Sequence, residues 1–459
     1  MYDTLIIGAG MSGLAAGIRL AYYDRPVCIL EQHTTIGGLN SFYRLGGRNY
    51  DVGLHALTNF TPKGTRKGPL ARLLRQLRLS WDDLALVPQL RSAIAFPQTR
   101  LDFTNDFEFF RGEVARAFPD QIDGFDRLVA ALIDYNDAPS PLGTQSAREV
   151  VARFISEPLL REMIFCPMMY YGNAREHDME FGAFSILFRS IFLEGLARPF
   201  AGVRLILKHL VKKFRSLGGD LRLRSRVQRI DVDDGRATGV TLTDGTEIAA
   251  DRVMSSAGWY ETMRMCGEPA DQQPRDPGRL SFVESFSWLD CQPQELGIDT
   301  TIVFFNQSER FHWRVPDELV DPTSGVICSP NNFAYEQPLD EGAIRVTSLA
   351  NYRQWRDLDR PDYESAKLHW YDRVTAAIVG VVPDFRPHVV ATDMFTPTTI
   401  ERFTLHENGA VYGAPWKRYD GTTHLKNLFI CGTDQGWVGI IGAIVSGISM
   451  ANRHVLRST

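Results

Sequence analysis

The run Gly8-Ala9-Gly10-Met11-Ser12-Gly13 constrains this chain more than any other stretch. It stands between an apolar strand pattern (TLIIG) and an amphipathic helix pattern (SGLAAGIRLAYYD), and a second strand pattern (PVCIL) ending in Glu31 follows. Strand, glycine turn, helix and strand form one βαβ unit. In that setting Gly8 permits the tight turn, Gly10 lets the backbone approach a pyrophosphate, and Gly13 lets the helix lie close on the strand. The helix opens at Met11 and Ser12, so its free N–H groups and positive dipole end face the phosphates. Glu31 has the type and place to accept hydrogen bonds from a ribose diol. A tight structural turn would need the glycines alone; the full set reads as a dinucleotide site.

A second glycine pair, Gly37-Gly38, lies six residues beyond Glu31 and brings more backbone toward the same phosphates, as a cofactor held in extended form requires. Read by itself it is equally an ordinary hairpin turn. No second GxGxxG follows, which disfavours a reductase with separate flavin and nicotinamide domains.

At 459 residues the chain is too long for one compact core and calls for about two domains. Apolar residues are 44% and charged residues 23%, an ordinary globular balance, and the net charge of -5 gives no reason to expect nucleic acid. The basic run HLVKKFR near residue 212 reads as a solvated helix face, or as a patch facing a bilayer. Cys28, Cys166, Cys266, Cys291, Cys328 and Cys431 are scattered without metal-ligand spacing and read as reduced thiols; no metal is expected. The N-terminus runs straight into a strand pattern with no signal-peptide features, and no uninterrupted apolar run reaches the about 18 residues of a spanning helix. The apolar C-terminal stretch ICGTDQGWVGIIGAIVSGISMANRHVL carries Asp434 and reads as a buried helix. A cytoplasmic location is expected.

The middle of the chain changes texture twice. From about 64 to 215 the pattern is mainly helical; from about 220 to 258 it alternates polar with apolar around DDG and DG turns, as joined strands do. Residues 260 to 405 mix strands and helices, and the chain closes on the strand pattern NLFICG. No long linker intervenes, so the domains should interleave.

The βαβ unit, IGGLNSF, YDVGLH, the VQRI strand, TPTTIERFTLHENGAVYG and ICGTD together resemble the FAD-dependent amine oxidase and carotenoid desaturase superfamily. The resemblance is strongest to the phytoene desaturase, carotenoid isomerase and retinol saturase branch. It implies an α/β fold: a Rossmann-type, GR2-like FAD-binding domain (1–63, 196–260 and 405–459) interleaved with a mixed α+β substrate-binding domain (64–195 and 261–404) carrying a helical insert. It further implies that Gly8, Gly10, Met11, Ser12 and Gly13 line the FAD pyrophosphate, that Glu31 binds the adenosine ribose, and that Gly37, Gly38, Leu39 and Asn40 lie beside the phosphates. Val227 would meet adenine, with Ala257 and Gly258 closing that side. Gly432 and Asp434 would hold the ribityl or phosphate region, and Gly439 and Ile440 would begin a helix under the pyrimidine side of the flavin. Two departures stand out. Relatives often have a basic residue after the GG pair where this chain has Leu39 and Asn40, and a GG before the returning helix where it has Ala201-Gly202.

The resemblance places His55 in a loop at the isoalloxazine, where an imidazole could exchange a proton or bond the flavin. Its structural alternative is a histidine that fixes the loop. FCPMMYYG and FGAFSILFRSIFLEGL offer Tyr170, Tyr171, Phe184 and Phe188 as walls of an apolar tunnel, and Tyr412 and Trp437 could line the flavin face; all six are also ordinary core residues. Cys431, in ICGTD, reads as a plain strand residue rather than a covalent flavin anchor.

Three functions follow as expectations. The first is an FAD-dependent oxidoreductase that desaturates, saturates or isomerises carbon-carbon double bonds of a long isoprenoid, taking a lipophilic small molecule and making peripheral contact with the inner membrane face. The second is an amine oxidase. The third is a non-catalytic prenyl-lipid carrier resembling the GDP-dissociation inhibitors.

Overall fold

The structure is a computed structural model that describes residues 1–53, 55–135, 145–268 and 276–457. Its first sheet is built from three distant stretches. Tyr2–Ile7 lies parallel between Val27–Leu30 and Glu247–Ser255, with Ile6 opposite both Ile29 and Met254. Asp220–Arg222 extends one side and Leu428–Ile430 pairs in parallel with Glu247–Ser255. Every residue of Val27–Leu30 is buried, as in a parallel strand covered on both faces. Val227–Asp233 and Arg236–Leu242 add an antiparallel ribbon, turning at the Asp234-Gly235 pair that the sequence marks.

One face of this sheet is covered by the helices Met11–Ala21, Val203–Ser216 and Gly439–Ala451. The first and last touch backbone to backbone, because Gly447 sits against the Ser12 carbonyl where any Cβ would collide. The C-terminal helix continues to Leu456, giving 18 residues at mean hydropathy 1.2, long and apolar enough to cross a membrane. That holds by length and composition alone; the apolar run is interrupted, as the sequence reading has it. Its polar positions are bonded inside the protein: Ser446 Oγ donates to Gln435, and Asn452 Oδ1 accepts from Arg19. Half of the segment is buried.

The second sheet is mostly antiparallel, in the order Val389–Phe395, Ser281–Leu289, Gly342–Ala350, Ser324–Cys328, Ile302–Asn306, Ser92–Phe96, Thr99–Phe103. Its last hairpin lies inside the stretch read as helical. SAIAFPQTRLDF alternates with period two and turns at Pro97-Gln98, with Gln98 at φ 103°, so strand patterning wins locally over the surrounding helices.

Around that hairpin pack the helices Phe107–Ala117, Ile122–Asp134, Pro158–Gly172 and Phe181–Phe188, joined by a π-helical turn, Arg189–Glu194. The wider turn places Phe188 and Phe192 in one core, where Phe192 stacks on Phe110 at 4.3 Å and meets Phe103 edge-on at 5.0 Å. Such pairs contribute about 0.5–1.5 kcal/mol each beyond area burial. They make the helical region a packed body that can hold one wall of a cavity.

Candidate cofactor cleft and adjoining cavity

The glycine turn opens onto a cleft of about 130 Å³. Gly8, Gly10, Met11, Ser12, Glu31, Gly37, Gly38, Leu39, Asn40, Val227, Ala257 and Gly432 all line it. Gly10 caps the helix Met11–Ala21 without a side-chain acceptor, leaving the first N–H groups for a ligand, and a Cβ at Gly10 would meet nothing within 4 Å. The second glycine loop docks on the first: Gly37 N donates to Ala9 O at 3.0 Å, and Gly10 and Gly37 form a parallel bridge. Glu31 is fixed at both carboxylate oxygens, accepting from Ala9 N at 2.9 Å and His33 N at 3.0 Å. Gly13 lies beneath the turn, where a Cβ would strike Gly8 O.

Other expected contacts sit elsewhere. Asp434 is only 3% exposed, and each oxygen is taken by a backbone N–H, from Ala414 and Trp259, both at 2.8 Å. It ties three loops together instead of facing the cleft, and its neighbour Thr433 lines the cleft in its place. Gly258 starts the helix Trp259–Met265 against Glu261 and Asp434, outside the cleft. Gly439 opens the C-terminal helix and lines neither the cleft nor the next cavity, while Ile440 packs into the core. Sequence reasoning missed Ser225, Arg226, Ser256 and the Phe403–His406 segment. Arg226 directly precedes Val227, so a cation was adjacent to a residue already singled out. Cys431 is buried behind the cleft, and burial pushes its thiol up to about 12, leaving an inert strand residue.

Beside the cleft lies a larger cavity of about 510 Å³. The two share the start of the C-terminal helix: Ala443 faces the cleft, Ile441 and Gly442 the cavity. Leu73, Ile186, Leu187, Trp437, Val438 and Ile441 give it an apolar wall. Of the six residues expected to meet substrate, only Trp437 lines it. Phe184 and Phe188 project from the opposite face of their helix into the aromatic core, while Ala183, Ile186 and Leu187 meet the cavity. Tyr170 bonds Ser324 Oγ at 3.1 Å, Tyr412 donates its hydroxyl hydrogen to Tyr170 O, and Tyr171 packs on Phe304 at 5.6 Å. Helical periodicity identifies apolar positions but not which of two apolar faces borders a void.

His55 lines neither space. Its Nε2 is 3.0 Å from Thr347 Oγ1 and 3.5 Å from Glu284 Oε1, on neighbouring strands of the second sheet. Burial lowers its pKa, partly countered by Glu284. Burial opposes ionisation of Glu284 too, but Arg345, paired with it across the strands, and then His55 hold the carboxyl down at about 2. The loop leading to His55 is tied to the cleft, because Gly53 sits against Leu39 O too closely for a side chain.

A model of the flavin containing amine oxidoreductases matches residues 11–454. The chain belongs to the flavin-containing amine oxidoreductase family. Its cofactor is FAD, and it is an oxidoreductase. The cleft fits that group: uncapped helix N–H groups for a pyrophosphate, an open Cβ position at Gly10, and a carboxylate fixed at the strand end. All-trans-retinol 13,14-reductase of Danio rerio is 24% identical over 99% of this chain and 86% of its own length. Prolycopene isomerase of Daucus carota is 21% identical over 98% of this chain and 80% of its own length. The 4,4'-diaponeurosporene oxygenase of Staphylococcus aureus is 24% identical over 93% of each. These relatives place this flavin-containing oxidoreductase in the carotenoid desaturase and retinol saturase branch. An oxidoreductase from Methanosarcina mazei shares the fold at a TM-score of 0.69 and 16% identity, covering 97% of this chain and 99% of its own. A putrescine oxidase variant does so at 0.67 and 16%, covering 99% of each.

Outside the site, Asp290, Cys291 and His388 come together at the surface because their strands are neighbours, and Asp290 bonds His388 at 3.0 Å.

Proposed function

We propose that this oxidoreductase exchanges hydride with a carbon-carbon double bond of a long apolar isoprenoid chain. The observation that carries the reading is the 510 Å³ cavity with an apolar wall, sharing one helix with the FAD cleft. The names of the relatives, acting on a retinoid and on carotenoids, support it. FAD, when bound, supplies hydride acceptance or donation at N5.

The chain's own residues supply the rest. Trp437, Val438 and Ile441 hold the apolar chain beside the cleft and exclude water. The start of the C-terminal helix has no side-chain cap, so its N–H groups favour negative charge near Gly439. His55, with Nε2 braced by Thr347 and Glu284, fixes the loop that carries Gly53 against the cleft. An amine substrate fits poorly, since the cavity presents Arg72, Arg175, Arg189 and Lys417 against only Glu180 and Glu194.

Anaerobic mixing of the FAD-loaded protein with polyenes and amines tests the reading. Bleaching or reoxidation of the flavin band with polyenes alone is expected. Bleaching by an amine, with peroxide released on admitting oxygen, would replace it with an amine oxidase.

A further inference from the structure

Arg175 and Lys417 both line the cavity; among the described residues Arg175 has no carboxylate partner, and Lys417 is paired only with Asp434. Arg175 Nε donates to Pro415 O at 3.0 Å, two residues before Lys417. Its terminal nitrogens, the fork that suits a carboxylate, have no partner among the described residues. Its backbone is clipped in place: Asn173 accepts from Arg175 N at 3.1 Å and donates to Arg175 O at 2.7 Å. Lys417 Nζ donates to Tyr412 O at 2.6 Å and lies 3.7 Å from Asp434, whose oxygens are already taken by backbone N–H groups. Glu180 shares the cavity but caps its own helix at Ala183 N. Two cations on the cavity wall, sharing one carboxylate that is already bonded by two backbone N–H groups, form an anion seat.

We infer that the substrate is an apolar chain ending in a carboxylate, seated on the Arg175 guanidinium with Lys417 alongside and its body against Leu73, Ile186, Leu187 and Val438. This rests on the apolar-chain reading above and narrows it. The planar fork of arginine matches a carboxylate with two parallel hydrogen bonds, which a hydroxyl cannot reciprocate. A diphosphate would carry more charge than this seat can neutralise with Glu180 and Glu194 on the same cavity. Lys417 supports the assignment: burial pushes it down to about 8, against the pull of Asp434, and the charge of Arg175 lowers it further.

The test is calorimetric binding to the FAD-loaded protein of four 20-carbon isoprenoids delivered from cyclodextrin: geranylgeranoic acid, geranylgeraniol, geranylgeranyl diphosphate and phytane. The acid should bind about tenfold or more tighter than the alcohol. Arg175→Gln should remove that preference while leaving alcohol affinity within about twofold, and Arg175→Lys should restore part of it. If Arg175→Gln fails to fold, Lys417→Met should still weaken the acid more than the alcohol. Equal binding of acid, alcohol and hydrocarbon would overturn the carboxylate end and leave the apolar-chain reading standing. Tighter binding of the diphosphate would also overturn it, and binding of none of the four would overturn both readings.

Discussion

The cofactor cleft and the cavity beside it share a helix but are made of different material. The cleft is largely backbone: glycine turns within the first 38 residues, crossed by short stretches near 227, 257 and 432. The cavity is side chains, gathered from five stretches between Thr58 and Ser449. A backbone cradle tolerates little substitution because nothing in it can rotate away. A side-chain wall tolerates more, and so changes ligand while the fold persists.

The sharpest way to break the comparison lies in the cleft. Gly13→Ala drives a Cβ into the Gly8 carbonyl, and should yield no folded yellow protein. Gly10→Ala meets nothing within 4 Å, so it should fold, with unchanged circular dichroism, yet lose about tenfold or more in FAD affinity. Wild-type FAD binding by that variant would place the pyrophosphate elsewhere. Next in size is Glu284→Ala at the second sheet, which removes the carboxylate facing the buried Arg345 and should cost about 3–5 kcal/mol in urea unfolding. Because the Glu284 carboxyl is depressed to about 2, its contribution is complete above the ordinary value of 4.5 and is lost as pH falls toward 2.

A gain is expected at Glu261. Burial pushes this carboxyl up to about 7, with Asp434 adding to the rise and His406 opposing it. A raised carboxyl favours the folded state below 4.5 and loses that advantage as pH rises through 7. Glu261→Gln, neutral throughout, should therefore melt like wild type at pH 4 and be more stable at pH 8 by about 3 kcal/mol. Coincident melting curves at pH 8 would contradict the burial argument. The smallest effect is at Lys417, which faces Asp434, Arg175, Glu180 and Tyr419. It is charged below about 8 and neutral above, so affinity for an acidic lipid should fall roughly two- to fivefold between pH 7 and 9, a slope that Lys417→Met removes.

The same contrast explains what could be read from sequence. The GxGxxG turn, Glu31, Gly37-Gly38 and Val227 line one cleft because local turn chemistry and strand order fix them. Asp434 was placed in the right neighbourhood but with the wrong partners: a buried carboxylate takes whichever N–H groups the fold delivers, and Trp259 and Ala414 reach it from distant loops. Phe184 and Phe188 carry the right chemistry on the wrong face. Arg175 and Lys417 stand 242 positions apart in sequence, and no pattern in either stretch signals the other. His55 was legible as a loop residue near the cleft, but Glu284 and Arg345 behind it belong to strands whose register only the fold reveals.

One feature of the returning helix fixes how the chain enters it. Asp51 accepts from Arg198 at 2.8 Å and from Val203 N at 3.3 Å, and its carboxylate occupies the space a Cβ at Gly202 would need. The two positions are therefore packed as a pair. Gly202 is held twice, once by the Asp51 carboxylate in the space of its Cβ and once by its own φ of 70°, so shortening Asp51 relieves only the first constraint. A side chain at Gly202 should therefore cost stability even beside Asp51→Ala, which makes this entry to the helix a rigid hinge fixed by backbone and carboxylate together.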